Sequence, residues 1–127
     1  MKCLVVDDSA IMRRVIDQIL EMLGHEAVQA CNGLQAFDRL KEHEDVALIL
    51  LDWNMPEMNG IEFLRAIKAN ARYAGIPVIM LTTESERRKM IEAIEAGASH
   101  YLTKPFQPET LATKIVQVTG GQGRQQA

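Results

Sequence analysis

Five side chains able to do metal or phosphate chemistry stand at matching places in the 127-residue chain, each at the end of a short apolar run. Asp7 and Asp8 follow "CLVV", Asp52 follows "VALILL", Thr82 closes "VIMLT" and Lys104 follows "HYLT". The adjacent acids are the unusual feature. One Asp at such a point is explained as a helix N-cap, because its oxygen accepts from a free N–H of the first helical turn; a cap does not need two. Lys104 before Pro105, taken alone, reads as a solvated loop lysine, and Thr82 alone carries no information. On one shared rim, however, three carboxylates face a single ammonium. Two like charges 4 Å apart repel by about 4 kcal/mol at an effective dielectric near 20, so the group is underneutralised. A divalent cation resolves this. An all-oxygen set of carboxylates and water favours Mg²⁺, with Mn²⁺ as a substitute, over metals that seek thiolate or imidazole. Asp8 and Asp52 are expected to ligate directly, and Asp7 directly or through water. The same rim reads as a phosphoryl-transfer site. An Asp can be the nucleophile that forms an acyl phosphate, and Asp52, central among these groups, is the candidate. Transfer then needs alignment and charge compensation on the equatorial oxygens, which the cation, Lys104 and the Thr82 hydroxyl or nearby N–H groups would supply.

For these residues to meet, the apolar runs must be parallel strands of one sheet. Runs of strand length recur at "CLVV", "EAVQAC", "VALILL", "PVIML" and "HYLT", with helix-period segments between them. Over 11–23, Ile11, Met12, Val15, Ile16, Ile19, Leu20 and Leu23 repeat at three and four residues, and Gly24 supplies a stop. Segment 33–42 carries Leu34, Phe37 and Leu40, and 60–71 carries Ile61, Phe63, Leu64 and Ile67. Segment 84–96 opens on the capping-box pair Thr83 and Glu86 and is followed by Gly97. The last, 107–118, carries Leu111, Ile115 and Val118 and is halted by Gly120 and Gly121. Strict alternation implies parallel strands joined by right-handed crossovers. The first, third and fourth runs are nearly all apolar, as strands covered on both faces are, and the mixed second and fifth suit edges. The predicted fold is therefore α/β: a doubly wound, flavodoxin-like five-stranded parallel sheet of order 2-1-3-4-5, with helices on both faces and its ligand site at the carboxyl ends of the strands.

The length suits one domain, placed at 1–119, followed by a flexible, linker-like tail "GGQGRQQA" at 120–127. A net charge of −3 gives no global basic field, so neither nucleic acid nor an anionic membrane is an expected partner. No apolar run approaches the roughly 20 residues of a membrane span, and no charged-then-apolar leader is present; a cytoplasmic monomer is expected. Cys3 and Cys31, opening and closing neighbouring parallel strands, would stand about 13 Å apart at ~3.3 Å per residue, beyond the roughly 7 Å limit for a disulfide. His25, His43 and His100 share no metal-ligand spacing. Met12, Met22, Met80 and Met90 read as core filling, with Met55 and Met58 supporting the loop after Asp52.

"LVVDDS", "LILLDWNMPEMNG", "VIMLTTE" and "GASHYLTKPF" together resemble the receiver domain of two-component response regulators, most nearly the single-domain chemotaxis (CheY-like) type, over residues 2 to about 118. The resemblance implies that Asp7 and Asp8 organise Mg²⁺ with the backbone carbonyl of Asn54. Asp52 would be the phosphoacceptor, charged by a histidine kinase, a histidine phosphotransfer domain or a small phosphodonor, and Thr82 and Lys104 would bind the phosphoryl group. It implies a cis Lys104–Pro105 bond, accessible to X-Pro pairs. Tyr101 matches the family's aromatic switch, turning inward as Thr82 shifts. Roughly two added negative charges would bias two packings of the fold. The readout would be the surface of the fourth helix, fifth strand and fifth helix, where Arg87, Arg88, Lys89 and Lys114 suit an acidic partner such as a flagellar motor switch protein or a phosphatase. Asn54 and Glu84 would flank the hydrolytic water, and Thr83, larger than the residue common there, would slow loss of phosphate. Trp53 abuts the acceptor and should report metal binding. Such a protein is a phosphoacceptor rather than an enzyme.

Two other classes compete. A Mg²⁺-dependent phosphohydrolase resembling haloacid dehalogenases would carry its nucleophile on the first strand as D-x-D, under a cap; neither is visible. A flavodoxin would need a Ser/Thr/Gly-rich loop for its flavin phosphate, which "DDSAIMRR" would repel. A receiver from a phosphorelay or cut from a longer regulator stays open beside the stand-alone reading.

Overall fold

A computed structural model describes residues 1–55, 58–83 and 87–120, with only the backbone of Arg87. Strand and helix alternate as the periodicity predicts: β1 (Lys2–Val6), α1 (Ala10–Met22), β2 (Glu26–Ala30), α2 (Gly33–Glu42), β3 (Val46–Asp52), α3 (Gly60–Lys68), β4 (Val78–Thr82), α4 (Arg87–Glu95), β5 (His100–Thr103) and α5 (Pro108–Thr119). All four strand pairings are parallel, in the order β2-β1-β3-β4-β5. This is the doubly wound, flavodoxin-like fold.

Side chains alternate across the sheet, so an interior strand must be apolar on both faces. Leu4, Val6, Ile49 and Leu51 join Leu40 of α2 and Phe63, Leu64 and Ile67 of α3 in one core. Val5, Leu48 and Leu50 join Ile16 and Leu20 of α1 and Leu111 and Ile115 of α5 in the other. β4 is buried at every position, whereas β2 and β5 are only partly so, as edges are.

The helices differ in detail from their sequence patterns. α1 buries Ile16, Ile19 and Leu20, but Ile11 and Met22 are 79% and 81% exposed, and Leu34 of α2 is 65% exposed. Met22 is therefore not a core residue. At 3.6 residues per turn it lies about a third of a turn from Ile16, as Leu34 does from Leu40, and a helix lying on a sheet buries only one stripe. Met12 packs on the second core, Met80 is fully buried and Met90 is half-buried. α3 stops at Lys68, short of the expected 71; the Lys68 ammonium donates to the carbonyls of Ala74 and Ile76 at 3.0 and 2.7 Å and holds the chain in a turn there. Residues 84–86 lie outside the described residues, and with them the capping box of Glu86. Gly120 ends α5 at φ +68, and the tail from Gly121 also lies outside.

Cys3 and Cys31 are free thiols, and burial pushes Cys3 up to about 11. His25 is 3.1 Å from the N-terminal amine and His43 is 3.2 Å from Lys2 Nζ. No helix among the described residues is long and apolar enough to cross a membrane.

Candidate functional site: an acidic corner at the strand ends

Register brings the chemistry to one rim. Val6 pairs with Ala30 and Leu51, Asp52 with Leu81, and Thr82 with Thr103. Asp7, Asp52, Thr82 and Lys104 therefore stand side by side at the carboxyl ends of β1, β3, β4 and β5. One carboxylate oxygen from each of Asp7, Asp8 and Asp52 lies within 4.8 Å of the others.

Neither Asp of the pair caps α1. Ser9 does, its Oγ accepting from Met12 N at 3.2 Å. Asp7 is instead fixed on every side: its N–H donates to Ala30 O at 3.1 Å, its carbonyl accepts from Arg13 Nη1 at 2.6 Å, and its Oδ1 accepts from Ser9 N at 2.9 Å. Its Oδ2 accepts from Lys104 Nζ at 3.0 Å, and the same ammonium reaches Asp52 Oδ1 at 3.1 Å. Asp7, Asp52 and Thr82 are buried, and Asp8 is exposed.

The electrostatics follow from this crowding. Burial, and next the charge of Asp7, raise the Asp52 carboxyl above its ordinary range despite the opposing pull of Lys104. Burial works against the Lys104 ammonium, but its hydrogen bond to Asp7 and the charges of Asp52 and Asp7 outweigh it, and its pKa is raised. Three acids against one half-buried lysine leave excess negative charge beside an exposed carboxylate. This all-oxygen set fits a hard divalent cation.

The loop after Asp52 is pinned by backbone. Trp53 N donates to Leu81 O at 2.8 Å, and Gly60 N to Trp53 O at 2.8 Å. A Cβ on Gly60 would fall onto the Asp52 carbonyl oxygen and within 2.9 Å of Trp53 Cα. Asn59 caps α3 in a reciprocal capping box with Glu62. Asn54 is exposed, and its N–H approaches Asp52 Oδ1 at 3.4 Å. Met55 is buried, and half-buried Met58 lies against Gly33. The Lys104–Pro105 bond is cis, and Lys104 N donates to Thr82 O at 2.7 Å.

The profile of the response regulator receiver domain matches residues 3–116. The chain belongs to the response regulator receiver family. It is 46% identical over 121 residues to the chemotaxis protein CheY homolog of Campylobacter jejuni (strain 81-176), covering 94% of this chain and 93% of that one. It is 43% identical to chemotaxis protein CheY1 of Helicobacter pylori (strain 26695), covering 94% and 98%. The crystal structure of Vibrio cholerae CheY4 superposes with a TM-score of 0.86 at 37% identity, covering 92% of this chain and 97% of that one. This is a two-component signalling receiver similar to CheY over most of its length.

The receiver's other expected residues are spread around the rim and the β5 edge. Thr83 is exposed beside the site, and Glu84 lies outside the described residues. Tyr101 is half-buried against the first core. A cavity of about 370 Å³ opens beside it, lined by Phe106, Thr110 and Lys114. Of the four basic residues, Arg88 is exposed, while Lys89 sits 5.4 Å above the buried Trp53 ring. Lys114 Nζ is 3.1 Å from His100 Nε2, and the Arg87 side chain is not described. Sequence reasoning missed Ser9 as the cap, Gly60 as an obligatory close approach, and Arg13. Ser9 carried a legible signal, as a cap residue just before the apolar period; the other two depend on contacts between elements.

Proposed function

We propose that this receiver is a phosphorylation-activated switch in which Asp52 accepts a phosphoryl group from the phosphohistidine of a histidine kinase or histidine phosphotransfer domain. The observation that carries the reading is the Lys104 ammonium bridging Asp7 and Asp52 next to exposed Asp8, with the Thr82 side chain on the neighbouring strand end. Attack by the free Asp52 oxygen forms an O–P bond as the N–P bond of the donor breaks, and the histidine keeps the electron pair. Asp7, Asp8, Asp52 and the Asn54 carbonyl would hold Mg²⁺, which supplies charge neutralisation at the transferring oxygens. Lys104 and Thr82 compensate the rest. The added charge draws Thr82 and Lys104 toward the phosphoryl group and frees space into which Tyr101 turns. The β5 edge and helices α4 and α5 then present a changed face to an effector such as a flagellar motor switch protein or a phosphatase, which the chemotaxis names of the relatives support. The protein acts as a cytoplasmic monomer, with residues 1–119 as its receiver domain, on neither nucleic acid nor membrane, and turns over no substrate of its own.

Incubation with acetyl phosphate and Mg²⁺ tests this. The intact chain should gain one phosphate, none with chelator and none in Asp52→Asn, without steady hydrolysis of added phosphomonoesters. Labelling that persists in Asp52→Asn overturns the assignment. In the same assay the label should decay faster from Thr83→Ala than from wild type.

A further inference from the structure

Asp8 is the exposed member of the acidic corner, and its carboxylate makes no hydrogen bond or ion pair among the described residues. Its direction is therefore set by its backbone. The Asp7 carbonyl belongs to the planar peptide that joins Asp7 to Asp8, so a partner that fixes this oxygen fixes ψ of Asp7 and φ of Asp8 together. Arg13 is that partner, through its 2.6 Å bond from Nη1.

Arg13 is itself held. Its Nε donates to Gln29 Oε1 at 3.1 Å, and Gln29 Nε2 donates to Asp17 Oδ2 at 3.2 Å. Arg13 and Asp17 are one turn apart on α1 and share a face, from which both reach Gln29 on edge strand β2. The Asp17 carboxylate accepts only, so it selects the amide orientation that turns the Gln29 oxygen toward Arg13. All three side chains are half-buried, and Arg13 forms no ion pair among the described residues. A guanidinium that reaches Asp7 but bonds its neutral carbonyl instead of its carboxylate is placed for geometry.

We infer that Arg13, aligned by Gln29 and Asp17, is a positioning residue that sets the Asp7–Asp8 peptide and through it the affinity of the corner for its cation. The inference rests on the reading of that corner as a Mg²⁺ site. Position and charge predict opposite signs. If Arg13 acted only as a nearby positive charge, its removal would tighten cation binding and a change at Gln29 would do nothing. If it positions Asp8, both changes weaken binding.

Mg²⁺ titration of the full chain by calorimetry and Trp53 fluorescence, on wild type, Arg13→Met and Gln29→Met, separates the two, with thermal unfolding in chelator run beside it. Arg13→Met should weaken Mg²⁺ about 10-fold, the scale of outer-shell changes at metal sites. Gln29→Met, which keeps the guanidinium, should weaken it less but in the same direction. Because Gln29→Met leaves the charge and the core intact, it carries the test if Arg13→Met does not fold. Unchanged or tighter binding in a folded Gln29→Met or Arg13→Met, with wild type binding normally, overturns this inference alone. No Mg²⁺ response in wild type overturns the reading of the site, and this inference with it.

Discussion

Lys104 balances two buried carboxylates with one charge, at hydrogen-bonding distance from both. Removing one member of a buried ionic cluster leaves the remaining charge uncompensated, at a cost of a few kcal/mol. Lys104→Met should therefore lower stability by about 3 kcal/mol at neutral pH in chelator, read by urea denaturation. The loss should shrink as Mg²⁺ is added, and also as the pH falls. Asp52 already titrates above its ordinary value through burial and the charge of Asp7. Without Lys104 its folded pKa rises further, so the destabilisation relative to wild type is greatest above that raised pKa and disappears as the pH falls below the wild-type folded value. A loss independent of both pH and Mg²⁺ would mean that Lys104 serves only through its aliphatic packing.

At the scale of elements, the β3–α3 loop and the β5–α5 edge each make a measurable demand. Gly60 begins α3 where a side chain would strike the backbone of Asp52 and Trp53. Backbone on both sides leaves no flexible atom to yield, so Gly60→Ala should cost about 2 kcal/mol. It should also change Trp53 fluorescence, because the Gly60 N–H holds the Trp53 carbonyl. On β5, burial and then the Lys114 charge hold the His100 ring below its usual 6.5. Nε2 lies 3.1 Å from the Lys114 ammonium, and Nδ1 accepts from Tyr101 N at 2.9 Å. A histidine whose folded pKa is depressed contributes stability that is present above its unfolded pKa and lost as pH falls through the folded one. Wild type should thus lose stability on acidification below about 6.5 more steeply than His100→Gln, and the His100 ring resonances should titrate below that value. Equal acid limbs would show that the ring is freely solvated.

At the scale of the molecule, two cores hold helices on opposite faces of one sheet, and a helix contributes only through the stripe it turns inward. Leu20 and Met22 of α1 make the contrast. Leu20→Ala should cost about 2–5 kcal/mol, whereas Met22→Lys should stay within about 0.5 kcal/mol of wild type, both read by urea denaturation. A large cost at Met22 would mean that the residue is covered in solution.

The sequence by itself determined the order of elements, the parallel sheet with its 2-1-3-4-5 arrangement, and the rim at which Asp7, Asp8, Asp52, Thr82 and Lys104 collect. These follow from quantities carried locally: periods of two and 3.6, apolar strands for the interior and mixed ones for the edges, and functional residues placed just past strand ends. Only tertiary structure decided which acid is buried and which exposed, that Lys104 bridges Asp7 and Asp52, that Gly60 lies against Asp52, and which third of α1 and α2 faces inward. Lys104 and Asp7 are separated by 97 positions, and Arg13 reaches the Asp7 carbonyl in concert with a glutamine on another strand. Such contacts depend on how far each helix is rotated and shifted against the sheet, and that is fixed by packing both cores at once rather than by the pattern of any one segment.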